Sequence, residues 1–554
     1  MHSSTNHRHF IFFLQILALV FLVGFYAWNI INNFWLLPCH RDSVEYIAPA
    51  IFGTSWGGYW PWLERLTLAV GLRLFVLFMP NNTVMAGPTL LFVVNLAILI
   101  TGILWAFKRA GFYASFFFAI FFSSSYLPTL YGSIVYPDQF VALFSLLTFI
   151  FFFEDDFGII QTKKFHKFML IAGIFAALTC FSKVMGLSTL AFFLFYLFLT
   201  RDWKRMRDFC FGLLLGSLLI CTSYSLLYNP QSLVYTIKQF FVSNVSDNLD
   251  VLNKFYVSYL NIVLDMLFAP FIGLLIAIGA YRKSLTRNLF LVAWANIIIM
   301  YCYAAFAGAG NGPHARYIYT AFIFTILGLS IHFSEYVHLN KQNGSKIIII
   351  GVALLLLGRS IGVTFDPSQY TPAKFPYYIK WLYVLGPLFI LGAMILIEFF
   401  KTRWLIPLLV ICISLWNTSY NGGWATSYQK LLTTYCNDMF TAAKAVNEVP
   451  SNNFGVYVSS FTELQNPERI IWIYKYFINS SIPHENGFDS LYKFNQFISQ
   501  NIQYIPGERK LTTVDFDYLL TDQEASVKQH YPHATRVKEI FWKGKSLSVL
   551  KLKP

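Results

Sequence analysis

Charged side chains are scarce in this chain. Asp, Glu, Lys and Arg make up 12% of its 554 residues, about half the share that a soluble globular protein carries. Catalytic signatures of several large classes are missing too. There is no HxxH, HExxH or cysteine cluster, so no metal site is assigned, although a divalent cation stays open and the cofactor is unknown. GxSxG and Walker patterns are absent, which argues against a serine hydrolase and an ATP-driven machine. The seven cysteines show no CxxC spacing. Cys180, Cys210, Cys221, Cys302 and Cys412 lie in apolar runs and read as small packing residues. Cys39 and Cys436 fall in loops expected on one face; whether they pair is open, because sequence does not establish connectivity. No internal repeat is visible, which weakens the case for an inverted-repeat transporter.

What is abundant is apolar surface. The chain is 56% hydrophobic and 19% aromatic. Runs long enough to cross a bilayer, roughly 20 residues each, recur from the N-terminus to about residue 420. These features predict an α-helical polytopic membrane protein. Thirteen spans are expected near 10–31, 88–107, 112–131, 138–153, 167–182, 184–200, 209–228, 259–280, 288–307, 316–333, 346–363, 381–400 and 403–420. The first run has no small-residue cleavage site after it and reads as an uncleaved span. Residues 63–79 carry Glu64, Arg65 and Arg73 on an apolar pattern. They read as an amphipathic helix in the interface, within a first outer loop over 32–87.

The net charge of +14 fits orientation and anionic headgroups better than nucleic acid, since no basic-aromatic soluble module is visible. With 63–79 in the interface, the loops KRAG, KKFHK, RDWKRMR, YRKSLTR, KQNGSK and KTR share one side. The positive-inside rule then places the N-terminus in the cytoplasm and the C-terminus outside. Residues 421–554 are not apolar enough to span and read as a small outer α/β domain. FGVYVSS (Phe454–Ser460) and FDYLLT (Phe516–Thr521) look like buried strands, NPERIIWIYKYF (Asn466–Phe477) like an amphipathic helix, and VKEIFW with SLSVLKL like a hairpin around Lys543-Gly544.

Sorted by side, the ionisable residues gather near the outer face. PCHRDSVEYIAPA (Pro38–Ala50) carries Arg41, Asp42, Glu45 and Tyr46 directly after the first span. Further along are Asp138 in YPDQF, Lys183 in CFSKVMG, Asp265 in IVLDMLF, His314 and Arg316 in GNGPHARY, and Arg359 in LLLGRSIG. Ionisable groups at membrane depth are expensive and commonly face a cavity. Asp42 is the best candidate general base, since a carboxylate within reach of an acceptor hydroxyl or amine can take its proton; the alternative is a hydrated loop aspartate paired with Arg41. Glu45 shares a face with Asp42 only if the segment is helical. Lys183 either holds a phosphate as a point charge or snorkels to the interface. Arg316 either binds phosphate bidentately or anchors a span end. Asp138 is either a helix N-cap or a functional carboxylate.

The order of these features resembles a known family. One span is followed by Asp-x-x-x-Tyr (Asp42, Tyr46), an interfacial helix and Pro137-Asp138. GIFAALTCFSKVMGLSTLAFF (Gly173–Phe193) then carries a lysine at a helix break, and HARYIYTAFIFTILG (His314–Gly328) carries Arg-Tyr at a span start. This is similar to the GT-C superfamily of polyprenyl-phosphate-sugar-dependent glycosyltransferases, in the branch of the lipid A aminoarabinose transferase and the protein O-mannosyltransferases. Family members often have Asp-Glu at the first motif, whereas Ser43 follows Asp42 here.

The resemblance implies Asp42 at the reaction centre, with Lys183 and Arg316 as holders of the donor phosphate; the residue reading adds Glu45 as a second carboxylate and His314 and Arg359 as further donor-phosphate contacts. Arg41, Tyr46, Asp138 and Asp265 are then expected to line the substrate. The implied partners are a polyprenyl-phosphate sugar donor, a glycan or lipid acceptor of lipid A or lipopolysaccharide type, and membrane lipids. The implied place is the periplasmic face of a bacterial inner membrane. The rival readings are a lipid-linked glycan polymerase or ligase, and a non-enzymatic lipid-linked oligosaccharide transporter.

Overall fold

In a computed structural model of the chain, the described residues are 3–34, 41–52, 65–80, 83–154, 167–183, 185–228, 284–306, 319–338, 454–458, 504–506, 517–542 and 545–552. Up to residue 338 they are almost entirely helical. Helix α1 (Ser3–Asn29) runs into a π-helical turn at Ile30–Phe34, and is followed by α2 (Arg41–Phe52), α3 (Leu66–Phe78), α4 (Thr83–Ala110), α5 (Phe112–Ser124) and α6 (Tyr126–Leu130). Next come α7 (Asp138–Glu154), α8 (Lys167–Ser182), α9 (Gly186–Thr200), α10 (Trp203–Leu227), α11 (Ser284–Phe306) and α12 (Tyr319–His338).

The outer surface of these helices is apolar. Phe10, Phe13, Leu17 and Val20 on α1, Leu104 on α4, Phe195 and Leu199 on α9, and Leu215 and Leu219 on α10 are all exposed. A face of this kind is matched to hydrocarbon rather than to water. Among the described residues three helical segments are long and apolar enough to cross a membrane: Phe10–Asn32, Met85–Ala110 and Trp203–Leu227. The chain is a helical membrane protein.

Helix ends follow local chemistry. Pro137 disfavours helix in the residue before it, and α7 starts at Asp138 with the Val141 N–H donating to the Pro137 carbonyl at 3.1 Å. Asp202 caps α10, accepting the Arg205 N–H at 3.1 Å. This cap brings the charged stretch WKRMRD into the helix, so α10 begins six residues ahead of the span expected from 209. The single span expected over 112–131 is instead α5, a break at Ser125 and the short α6. The spans expected near 259–280, 346–363, 381–400 and 403–420 lie outside the described residues, as do Cys39, Cys436 and the helix expected over Asn466–Phe477.

Helix α3 covers most of the 63–79 stretch. Its 13 residues span about 20 Å, short of a bilayer core of about 30 Å. Leu66, Leu68, Val70, Leu72 and Val76 are buried against α2, α4, α8 and α10, while Leu74, Leu77 and Phe78 are exposed. Helices α8 and α10 pack backbone to backbone. A Cβ on Gly173 would strike the Phe209 carbonyl, and one on Gly212 would strike the Leu170 carbonyl. Small residues at such crossings are the usual device for close helix packing in membranes.

The C-terminal part carries a five-stranded mixed sheet in the order β2-β1-β3-β5-β4, built from β1 (Phe454–Val458), β2 (Tyr504–Pro506), β3 (Tyr518–Thr521), β4 (Thr535–Trp542) and β5 (Lys545–Lys551). Strand β1 is parallel to β2 and β3, whereas β5 is antiparallel to β3 and β4. The short helix α13 (Glu524–His530) sets Val527 against Leu519, Ala534, Leu550 and Leu552. Strand β3 is buried along its whole length, as a central strand covered on both faces should be. The two strands and the hairpin expected here are present.

Candidate active site

The site is built around the first turn of α7. Asp138 stands at its start, where the helix dipole favours negative charge. Its Oδ1 lies 2.6 Å from the Nζ of Lys183, in the break between α8 and α9. Both residues are buried, Asp138 at 5% and Lys183 at 8% exposure. Asp138 Oδ2 is buried with no hydrogen-bond partner. The carboxylate therefore caps no helix; it faces a cation with one oxygen and leaves the other unused. Lys183 does not snorkel, because its ammonium is held inside the bundle by Asp138.

Neighbouring polar groups fix the turn that carries Asp138. Gln139 Nε2 donates to the carbonyls of Tyr131 (2.7 Å) and Ile134 (3.1 Å). Asn95 Nδ2, from the middle of α4, donates to Gly132 at 3.3 Å. Asn95 Oδ1 in turn accepts the Tyr319 hydroxyl at the start of α12. These bonds satisfy backbone carbonyls that have no helical partner and hold the turn in one geometry.

Helix α2 docks on the same turn. Its Ser43 hydroxyl donates to the Val135 carbonyl at 3.3 Å, and Ile47 and Ala50 are buried with it. The far end of α2 is held by Arg73 of α3, whose Nη1 donates to the last-turn carbonyls of Ala50 (2.8 Å) and Ile51 (3.1 Å). Because the segment is helical, positions 42, 45, 46 and 49 lie on adjoining turns of one side, which settles the geometric question about Glu45. The side chains of Arg41, Asp42 and Glu45 lie outside the described residues, although their backbone forms the first turns of α2.

Tyr46 of α2 lines a narrow cleft with a volume of only about 10 Å³. Arg65, Leu68 and Ala69 at the start of α3, Pro49 of α2, and Tyr224 and Tyr228 at the end of α10 complete its lining. The two tyrosine rings stack with centroids 4.7 Å apart, and the Tyr228 hydroxyl donates to the Ala69 carbonyl at 2.8 Å. Thr67 ties α3 to the Leu178 carbonyl at 3.0 Å, five residues ahead of Lys183. The structure thus gathers α2, Asp138, Lys183 and Tyr46 at one end of the bundle. Asp265, His314, Arg316 and Arg359 lie outside the described residues. Among the described residues no group of three or more His, Cys, Asp and Glu is placed to hold a metal ion.

The opposite end of α7 has a different character. Glu154 pairs with Lys108 and, at 2.6 Å, with Arg109. Arg205 donates to the Phe152 carbonyl at 2.7 Å and lies over the Phe152 ring. Here each cation of KRAG and each arginine that ties α10 to α7 has a structural partner.

Sequence reading passed over Arg65, Tyr224 and Tyr228 as site residues.

No family model matches the chain, and no curated protein matches it by sequence. Solved structures do match. A crystal structure of ArnT from Cupriavidus metallidurans bound to undecaprenyl phosphate aligns over 96% of this chain and 97% of its own, at 11% identity and a TM-score of 0.50. The apo crystal structure of the same protein aligns over 97% of each chain, at 12% identity and a TM-score of 0.49. What is shared at this identity is the fold. It agrees with the helical membrane architecture expected from the apolar runs.

Proposed function

We propose that this chain is an integral-membrane glycosyltransferase that moves a sugar from a polyprenyl-phosphate donor to a lipid-linked or cell-surface glycan, of lipid A or lipopolysaccharide type. The carrying observation is the fold shared, nearly end to end, with a protein solved in complex with undecaprenyl phosphate. The buried Asp138–Lys183 pair beside α2 supports it, because ionisable groups are kept at membrane depth where a cavity uses them. The reaction is placed at the periplasmic face of a bacterial inner membrane, with the N-terminus cytoplasmic and residues 421–554 as an outer α/β domain.

In this reading the acceptor hydroxyl or amine attacks the anomeric carbon of the donor sugar. The bond from that carbon to the phosphate oxygen breaks, and the lipid phosphate leaves with its electrons. Asp42, with Glu45 on the adjoining turn, takes the acceptor proton. Direct displacement inverts the anomeric centre. His314, Arg316 and Arg359, together with Lys183, stabilise the negative charge gathering on the departing phosphate. Arg41, Tyr46, Asp138 and Asp265 contact the sugar and acceptor. Because Asp138 already balances the Lys183 charge, Lys183 orients the site as much as it binds phosphate.

The test is transfer of label by the purified chain from a panel of radiolabelled polyprenyl-phosphate monosaccharides to crude membrane acceptors. Turnover of at least one donor is expected. Turnover of none of them, beside turnover of a polyprenyl-diphosphate oligosaccharide assayed in parallel, would move the chain to the polymerases and ligases.

A further inference from the structure

We infer that Asn95 and Tyr319 are positioning residues for the transfer reaction: acting through the turn Tyr131–Pro137, they fix where the Asp138–Lys183 pair stands relative to the start of α12. The inference rests on the glycosyltransferase reading for the identity of the reaction, while the geometry stands apart from it. Asn95 lies in the middle of α4, fully buried in a stretch that also buries Leu91, Val94, Ile98 and Leu99. A buried amide is costly unless its hydrogen bonds are made, and asparagine is a weak helix former. Here both ends of the amide are used. Its Nδ2 donates to the carbonyls of Leu91 (2.9 Å), Gly132 (3.3 Å) and Tyr131 (3.4 Å). Its Oδ1 accepts the Tyr319 hydroxyl. Carbonyls call for the amide's NH2 group, which leaves only the oxygen for Tyr319, itself 1% exposed. The bonding therefore runs from α12 through α4 into the turn.

That turn is what places Asp138. Its carbonyls are taken by side chains: Tyr131 and Ile134 by Gln139, Val135 by Ser43, and Gly132 by Asn95. Of these three donors, Asn95 is the one bonded onward to α12; the Gln139 Oε1 has no partner. The Asp138 carboxylate has Lys183 on Oδ1 and no hydrogen-bond partner on Oδ2. Its place is thus set by the backbone of the turn and by one cation. A misplacement of about 1 Å at reacting groups can cost on the order of a hundredfold in rate. A bond that takes slack out of the turn therefore acts on turnover more than on substrate binding. Arg316 is three residues ahead of Tyr319 in the chain, so the same bond tethers the end of the segment proposed to hold the departing phosphate.

The experiment uses the purified full-length chain and the polyprenyl-phosphate monosaccharide that it turns over. Tyr319→Phe removes one hydroxyl, and Asn95→Leu removes the whole bridge at similar volume; Tyr319→Phe carries the test if Asn95→Leu does not fold. Ser115→Ala is the control, because its buried hydroxyl also joins two helices, donating to the Ile103 carbonyl of α4 at 2.8 Å, about 12 Å along α4 from Asn95. Per folded molecule, Tyr319→Phe and Asn95→Leu should lower kcat about tenfold to hundredfold and leave the donor KM within about threefold. Ser115→Ala should leave kcat unchanged. The loss should largely vanish when Tyr319→Phe is added to Asp138→Asn, since the group being placed is gone. Unchanged kcat in folded Tyr319→Phe, or a loss that adds in full to that of Asp138→Asn, overturns the inference. Hydrogen exchange at residues 131–137 is followed on the same samples. It should rise in Tyr319→Phe and not in Ser115→Ala, and unchanged exchange in folded Tyr319→Phe also overturns the inference. If wild type transfers nothing, the glycosyltransferase reading falls, and exchange alone decides the link between α12 and the turn: a rise in Tyr319→Phe upholds it, and no change overturns it.

Discussion

The Nζ of Lys183 lies 2.6 Å from Oδ1 of Asp138, joining the α8–α9 break to the first turn of α7 inside the membrane bundle. Removing one partner of a buried pair leaves the other charge uncompensated, at a cost of about 3–5 kcal/mol. Lys183→Met and Asp138→Asn should each lower the unfolding temperature in detergent sharply. The double variant should be less destabilised than the sum of the two. Additive losses in this double-mutant cycle would mean that the two side chains are not coupled.

The contact of α8 with α10 sets where Lys183 stands. Gly173→Leu places a side chain against the Phe209 carbonyl, and Gly212→Leu places one against the Leu170 carbonyl. Each should destabilise by about 1–3 kcal/mol through overpacking and lower any Lys183-dependent activity. Leu219→Ala, on the exposed face of α10, should leave both unchanged. Equal effects at all three positions would count against close packing as the cause.

Arg73 closes the end of α2, and each hydrogen bond from a charged group is worth about 1.5–3 kcal/mol. Arg73→Ala should free the carbonyls of Ala50 and Ile51 and loosen the helix that carries Asp42. Hydrogen exchange should rise across 41–52 while α7 stays protected. Unchanged protection of 41–52 would show that Arg73 does not hold α2.

The C-terminal sheet should be sensitive to acid. Burial pushes the Glu524 carboxyl up, but hydrogen bonds from Lys528, Ser548 and Arg536 outweigh it and hold the value at about 2, below the ordinary 4.5. A depressed folded-state value stabilises above the unfolded value and loses that contribution as pH falls through the folded one. Proteolytic protection of residues 517–552 in the full chain should therefore decline between pH 4.5 and 2. Glu524→Gln should flatten that decline; a slope as steep as wild type would assign it to other groups.

Much of the helical part could be read ahead of the structure, because apolar runs bounded by basic loops define their own ends. Helix α8 occupies 167–182 as expected, and α7 starts where Pro137 permits it. The start of α10 was misplaced because a helix capped by Asp202 tolerates charges that hydropathy excludes. The break at Ser125 lies in the triplet Ser123–Ser125, whose small hydroxyl side chains a hydropathy reading carries through as part of one span. At the site, residue types were legible and partnerships were not. Asp138 and Lys183 were both singled out, yet a pairing across 45 positions depends on the packing of α7 on α8.

The most direct measurement is sugar transfer from a polyprenyl-phosphate monosaccharide by wild type and by Asp42→Asn, each shown to unfold at the same temperature. Wild type should transfer, and the variant should fall by about 10²–10⁴-fold, the usual contribution of a general base. Full activity in Asp42→Asn would remove the carboxylate on α2 from the chemistry and contradict the mechanism derived for this site.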